Sequence, residues 1–92
     1  MNITVKGQVV QVGTSVEFGN ASKRLKRRVV VGVMNGKKTD PLPVDFYDRD
    51  VDMLEGLKPG DMCEVTFFCS GYENKAGNYL PSYVGQIIYP LK

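Results

Sequence analysis

From Ile3 onward apolar and polar positions alternate. Ile3, Val5, Gly7 and Val9 fall on one side, and Thr4, Lys6 and Gln8 on the other, the period of a half-buried strand. Val10 and Val12 break the alternation. This predicts a long first strand, Ile3–Val12, that bends near Gly7 and gains a second buried face. A polar, glycine-containing loop is expected from Gly13 to about Ser22. A second strand from about Leu25 to Met34 puts Val29, Val31 and Val33 on one face, and Asn35-Gly36 signals a tight turn. After Lys37–Pro43, a third strand takes Val44–Tyr47.

The period then changes. Val51, Leu54 and Leu57 recur every three positions with Met53 beside them, and Asp48 or Asp50 is placed as an N-cap. Gly56 weakens the interior, so the spacing predicts a short helix of about two or three turns within Asp48–Lys58. Lys58-Pro59-Gly60-Asp61 ends it. The fourth strand, Met62–Gly71, sets Cys63, Val65, Phe67 and Cys69 against Glu64, Thr66, Phe68 and Ser70. A hairpin loop over Asn74–Asn78 leads to a fifth strand, about Tyr79–Tyr89, whose Pro81 belongs at an edge or a bulge. Either set of alternating side chains on this strand can be the inner one. Strand, strand, strand, short helix, strand, strand, with a long bent first strand, is the order of an all-β, five-stranded Greek-key OB barrel. Residues 1–92 read as a single domain, with no repeat, linker or low-complexity tract.

Composition adds mostly exclusions. No apolar run approaches the roughly 18 residues of a membrane span. The N-terminal residues lack the pattern of a signal peptide, so a cytoplasmic location, in a bacterial cell or a phage-infected host, is expected. There is no histidine, which removes the commonest general base and metal ligand. Cys63 and Cys69 lie six residues apart on one strand, roughly 20 Å at strand rise. They are too distant to bridge and read as two free core thiols.

Charge is more telling in its distribution than in its total of +2. Residues 1–38 carry eight Lys or Arg against the single acid Glu17, a local +7, while residues 39–92 carry four against nine acids, a local −5. Five cations crowd into Lys23-Arg24-Leu25-Lys26-Arg27-Arg28 and run directly into a valine-rich strand. Such a basic loop rooted in a rigid sheet suits a polyanion, although a charge run can also be plain solvated surface.

In an OB barrel, oligonucleotides bind over strands two and three and between the loops joining strands one to two and four to five. Here those places hold the basic run, Tyr47 and the Asn74–Asn78 hairpin. With Phe46 inward, Tyr47 points outward beside Asp45 and Arg49, and can stack on a base or lie on the surface. Tyr72 shares the outer parity. Tyr79 is a further aromatic candidate, and Phe18 can cap the barrel, the preferred reading, or clamp a base. Lys26 and Arg28 share the face opposite Val29 and Val31 and are the foremost phosphate candidates, with Lys23, Arg24 and Arg27 around the groove mouth. Lys6 and Lys75 extend the track. The acids Asp45, Asp48, Asp50 and Asp52 are weighed as a two-metal nuclease site, but helix capping accounts for two of them, and no cofactor, metal site or catalysis is read.

Nearly the whole chain resembles compact single-stranded DNA-binding proteins of bacteria and their phages. The resemblance rests on Ile3–Val10, Arg28–Val31, Val44–Asp48 leading to Leu54, Leu57–Asp61 and Tyr72–Tyr79. It implies that Tyr47 and an aromatic near Tyr72 stack on bases. It further implies roles in replication, recombination or repair. Two departures stand out: tryptophan is absent, and the chain ends at Leu91-Lys92 without an acidic tail, which points to a phage or accessory member. The expected function is binding of single-stranded DNA with little sequence preference. RNA is not separated from DNA, because no reader of the 2′-OH is visible. Small groove size predicts a homodimer or homotetramer. The alternative is a protein–protein adaptor of a replication or recombination complex, using Phe68, Ile87 and Tyr89.

Overall fold

The computed structural model of the 92-residue chain describes residues 2–19 and 23–91. It contains β1 (Asn2–Val12), β2 (Val16–Phe18), β3 (Arg24–Asn35), β4 (Lys38–Tyr47), a 3-10 helix (Asp48–Leu54), β5 (Met62–Glu73) and β6 (Tyr79–Pro90). The sheet runs β1-β5-β6-β4-β3-β2, and an additional β1–β3 pairing closes β1, β5, β6, β4 and β3 into a five-stranded barrel. Pairings are antiparallel except β4–β6, which meet in parallel at Asp45 and Val84. This is an OB fold, with the expected helix between the last strand of one half and the first of the other.

Strand β1 serves two neighbours. Its residues Asn2–Gln8 pair with β5, while Gln8–Val12 pair with β3. The bend between these halves is a bulge at Val10, not Gly7: the register slips between Val9 and Gln11. A bulge shifts side-chain parity by one, so Val12 returns toward the core while Val10 stays half exposed at 52%. The expected second buried face is therefore a parity correction. Gly7 has a different task. A Cβ there would collide with the Gly32 carbonyl and the Val31 side chain, so its missing side chain lets β1 cross close over β3.

Two strands escaped the pattern. The loop after Gly13 contains β2, which pairs Val16, Glu17 and Phe18 with Lys26, Leu25 and Arg24. Strand β4 begins at Lys38 instead of Val44, in spite of Pro41 and Pro43. It pairs with β3 along its length but pairs with β6 only at Asp45. Residues 38–43 thus form an edge on which prolines are tolerated. The turn before it centres on Gly36 and Lys37, with Asn35 paired to Lys38 and Gly36 at φ 67°.

The expected helix is present in 3-10 form. The 3-10 helix has three residues per turn, the spacing of Val51 and Leu54, both buried under one end of the barrel with Leu57. Neither acid caps it through its side chain, and Tyr47 stands at the N-cap without a side-chain bond. The core comprises mainly Val9, Val29, Val31, Val44, Phe46, Leu54, Cys63, Val65, Phe67 and Ile88. The Phe46 ring lies against Gly85, where any Cβ would overlap it.

Strands β5 and β6 run on past the barrel as a two-stranded arm to the Asn74–Asn78 loop. Asn74 Oδ1 accepts the N–H groups of Ala76 and Asn78 at 3.0 and 2.9 Å and so fixes that loop. The arm corrects the thiol assignment. Cys63 is fully buried, but Cys69 lies where β5 has left the barrel and is exposed. Both are free, as expected.

Candidate functional site

Strands β3 and β4 and the β5–β6 arm present the site. Alternation on β3 sends Val29 and Val31 inward and Lys26 and Arg28 outward. On β4, Val44 and Phe46 go in, while Asp45 and Tyr47 share the outer wall. Cross-strand register sets Lys26 opposite Tyr47 and Arg28 opposite Asp45. The β5–β6 arm overhangs this wall and contributes Tyr72, Pro81 and Ser82. Together these residues line a groove of about 350 Å³. It continues into a second hollow of about 340 Å³ lined by Phe18, Arg24, Tyr47, Ser70, Tyr72 and Val84. Tyr47 and Tyr72 belong to both hollows, so the two phenols flank one continuous trough.

Each end of the trough is organised around an arginine. Arg24 Nη2 binds Asp48 Oδ2 at 3.0 Å, and the guanidinium lies 4.9 Å from the Phe18 ring centre and 5.8 Å from that of Tyr47. Phe18 meets Tyr47 edge to face at 5.9 Å. Asp48 adopts φ 55°, a left-handed conformation that Asp tolerates. It turns its carboxylate back toward Arg24 and toward the Leu25 N–H at 3.4 Å. The Arg24 hydrogen bond, with a smaller opposing effect of desolvation, holds the Asp48 carboxyl below the usual carboxylate range.

At the other end Asp45 is 5% exposed, unusual for a carboxylate. It is satisfied by Arg28, whose Nε reaches Oδ1 at 2.7 Å and Nη2 reaches Oδ2 at 3.2 Å. Lys26 Nζ stands 3.9 Å from the same carboxylate. The hydrogen bond and charge of Asp45 push the Arg28 guanidinium above its ordinary range, so it stays a cation at every working pH.

The other sequence candidates lie elsewhere. Arg27 has the inward parity of β3 and donates to the Gly13 carbonyl at 2.7 Å and to Glu55 at 2.8 Å. It ties the first loop to the end of the 3-10 helix. Lys23 and Arg49 line a separate hollow with Asp48 and Asp52. Lys6 sits on β1, across the barrel from the β4–β6 seam, in a hollow with Met34 and Met62. Lys75 and Tyr79 are on the arm, and Tyr79, 80% exposed, takes the face opposite Tyr72. Tyr83 shares the parity of Tyr79, packs on Phe67 and also lines the groove. Phe18, for which a barrel cap is the preferred of two sequence readings, walls the trough instead. The signal for it was Val16-Glu17-Phe18, a short apolar–polar–apolar alternation inside an otherwise polar loop. The aspartates do not converge, and among the described residues no cluster of three or more His, Cys, Asp or Glu could hold a metal ion. Nor is any described helix long and apolar enough to cross a membrane.

No protein-family model matches the chain, and no curated protein matches its sequence. Solved structures match its fold. The mitochondrial single-stranded DNA-binding protein Rim1 of S. cerevisiae superposes with TM-score 0.75 at 15% identity, covering all of this chain and 96% of that one. A second crystal form gives 0.67 at 17%, with 100% and 95% covered. The second OB-fold domain of replication protein A from Methanococcus maripaludis gives 0.69 at 15%, with 100% and 85% covered.

Proposed function

We propose that the chain binds single-stranded DNA without catalysis, laying the strand along the trough between the β2–β3 hairpin and the β5–β6 arm. The observation that carries this reading is the convergence of Tyr47 and Tyr72 with Arg24, Lys26 and Arg28 in one open groove on the OB fold's oligonucleotide face. Aromatic rings flanking a cationic trough give sequence-tolerant stacking together with phosphate attraction. A duplex, whose bases are already stacked and paired, offers the tyrosines nothing. Fold neighbours that are themselves single-stranded DNA-binding proteins support the same reading.

Both arginines are held by acids. Asp48 is exposed, and exposed ion pairs contribute little, so Arg24 can exchange it for a phosphate at small cost. Lys26 is 41% exposed at the side chain and is the more loosely held cation at the other end. Assembly into a homodimer or homotetramer belongs to the same proposal. Half-exposed Met62, Ile87 and Tyr89 lie on the β5–β6 wall away from the trough, where a second copy would cover them and lengthen the DNA track.

Titration of a labelled oligonucleotide at two salt concentrations, with and without magnesium, tests the reading. Binding that prefers single strands, weakens with salt and leaves the strand intact is expected. Absence of binding at low salt would favour the adaptor role, and metal-dependent cleavage would favour a nuclease.

A further inference from the structure

Resting on that reading, we propose that the trough contains one base-selective position, at which Arg28, aimed by the buried Asp45, reads the two-acceptor edge of guanine. The geometry is specific. Asp45 engages Nε and Nη2 of Arg28, the side-on mode of a guanidinium–carboxylate pair. A guanidinium has five N–H donors in a fixed plane, so Nη1 and the second hydrogen of Nη2 remain as a parallel fork. Among the described residues no protein acceptor takes them. Arg28 keeps 54% of its side chain exposed while Asp45 keeps 7%, so the buried partner holds the plane and leaves the free fork open. Arg28 lines the groove with Tyr47 and Tyr72 and also a smaller hollow with Gln11, Gly13 and Val30.

Two parallel donors call for two adjacent acceptors. Guanine O6 and N7 present that pair on a purine large enough to stack on a tyrosine ring. In an unpaired strand cytosine N3 and O2 present one too, on a smaller ring, whereas adenine N7 and N1 each stand beside the amino donor. A phosphate also offers paired acceptors. At this edge, however, it would put a second anion on a cation already neutralised by Asp45, whereas the guanine edge adds no charge. Lys26, held only loosely at 3.9 Å from the same carboxylate, supplies the charge that a neighbouring phosphate needs. Arg28 thus acts as a specificity residue and Asp45 as the residue that positions it.

The test compares four short strands with the purified protein by fluorescence titration at one low salt concentration: all dT, and dT carrying one central dG, dA or 7-deaza-dG. The dG strand should bind roughly fivefold or more tightly than the dA strand, and 7-deaza-dG, lacking the N7 acceptor, should fall back to the dA level. The readout is the dG to dA ratio within each protein, so a general loss of affinity cancels. Arg28→Lys keeps the charge but not the fork, and Asp45→Asn keeps the shape but not the second charged acceptor. Each should bring the ratio close to one, with circular dichroism confirming the fold. A parental ratio near one, with the strands still bound, overturns the selective position and leaves single-strand binding standing. A ratio that survives 7-deaza-dG or Arg28→Lys also overturns it, because stacking alone would then explain the preference. If no strand binds, both this inference and the proposed function fall.

Discussion

Tyr47 is the residue on which most of the site depends. It is placed by Phe46, which the core holds fully buried, since alternation leaves its neighbour no other side. Tyr47→Ala should weaken single-strand binding by roughly 1–3 kcal/mol while leaving the slope of log affinity against log salt nearly unchanged, because a stacked base carries no counterions. Tyr47→Phe should retain most of the affinity, since stacking needs the ring and not the hydroxyl; a phenylalanine variant as weak as alanine would mean that the hydroxyl, not the face, is used. The two thiols give a second test at the same scale. Burial, aided by the charge of Asp61, pushes the Cys63 thiol up from its ordinary range, so at neutral pH it is both shielded and protonated. Cys69 is exposed. Alkylation of native protein should modify one thiol per chain quickly, at Cys69 by peptide mapping, and the second only on unfolding. Two fast thiols would mean that β5 opens in solution.

At the scale of elements, what was legible follows from which interactions act locally. Alternation in β1, β3 and β5 was readable because each keeps a buried face along most of the barrel. The helix was readable as a period of three, and that period is the 3-10 repeat itself. Where the sequence reading fell short, a distant partner decided. Residues 38–43 look like a loop because of their prolines, and become strand only because β3 offers a full antiparallel edge. Cys69 has core parity, yet nothing in its own strand announces that the barrel ends before it. The side chain of Asp48 suits a helix cap, but Arg24, 24 positions earlier, takes it. Phe18 was assigned to the barrel mouth because its partner Tyr47 comes from another strand. The elements themselves can be tested through packing. Leu54→Ala should cost about 2–5 kcal/mol by leaving a cavity under the barrel end. Gly85→Ala should destabilise by about 1–3 kcal/mol, because the methyl would occupy the place of the Phe46 ring. Denaturant unfolding reads both. An alanine at 85 that leaves the midpoint unchanged would place Phe46 differently from the packing described here.

For the molecule as a whole, the question is whether the N-terminal excess of positive charge acts as a diffuse field or as a track. The structure divides the basic run by facing. Arg24, Lys26 and Arg28 reach the trough, Arg27 is turned to Gly13 and Glu55, and Lys6 sits across the barrel. Acids in and beside the trough offset part of this charge: Asp45 binds Arg28, and Asp48 binds Arg24. A field would respond to every charge in proportion to its distance, whereas a track responds only to side chains that displace counterions from phosphates. Arg24→Ala and Lys26→Ala should each flatten the salt slope by about 0.7, the increment for one phosphate contact on a single strand. Lys6→Ala should leave it unchanged, although it removes the same formal charge. Arg28→Ala, whose charge is already met by Asp45, should change the slope less than Lys26→Ala does. Equal flattening by Lys6 and Lys26 would mean that the basic half attracts DNA without guiding it, and the trough would lose its claim to be the path of the strand.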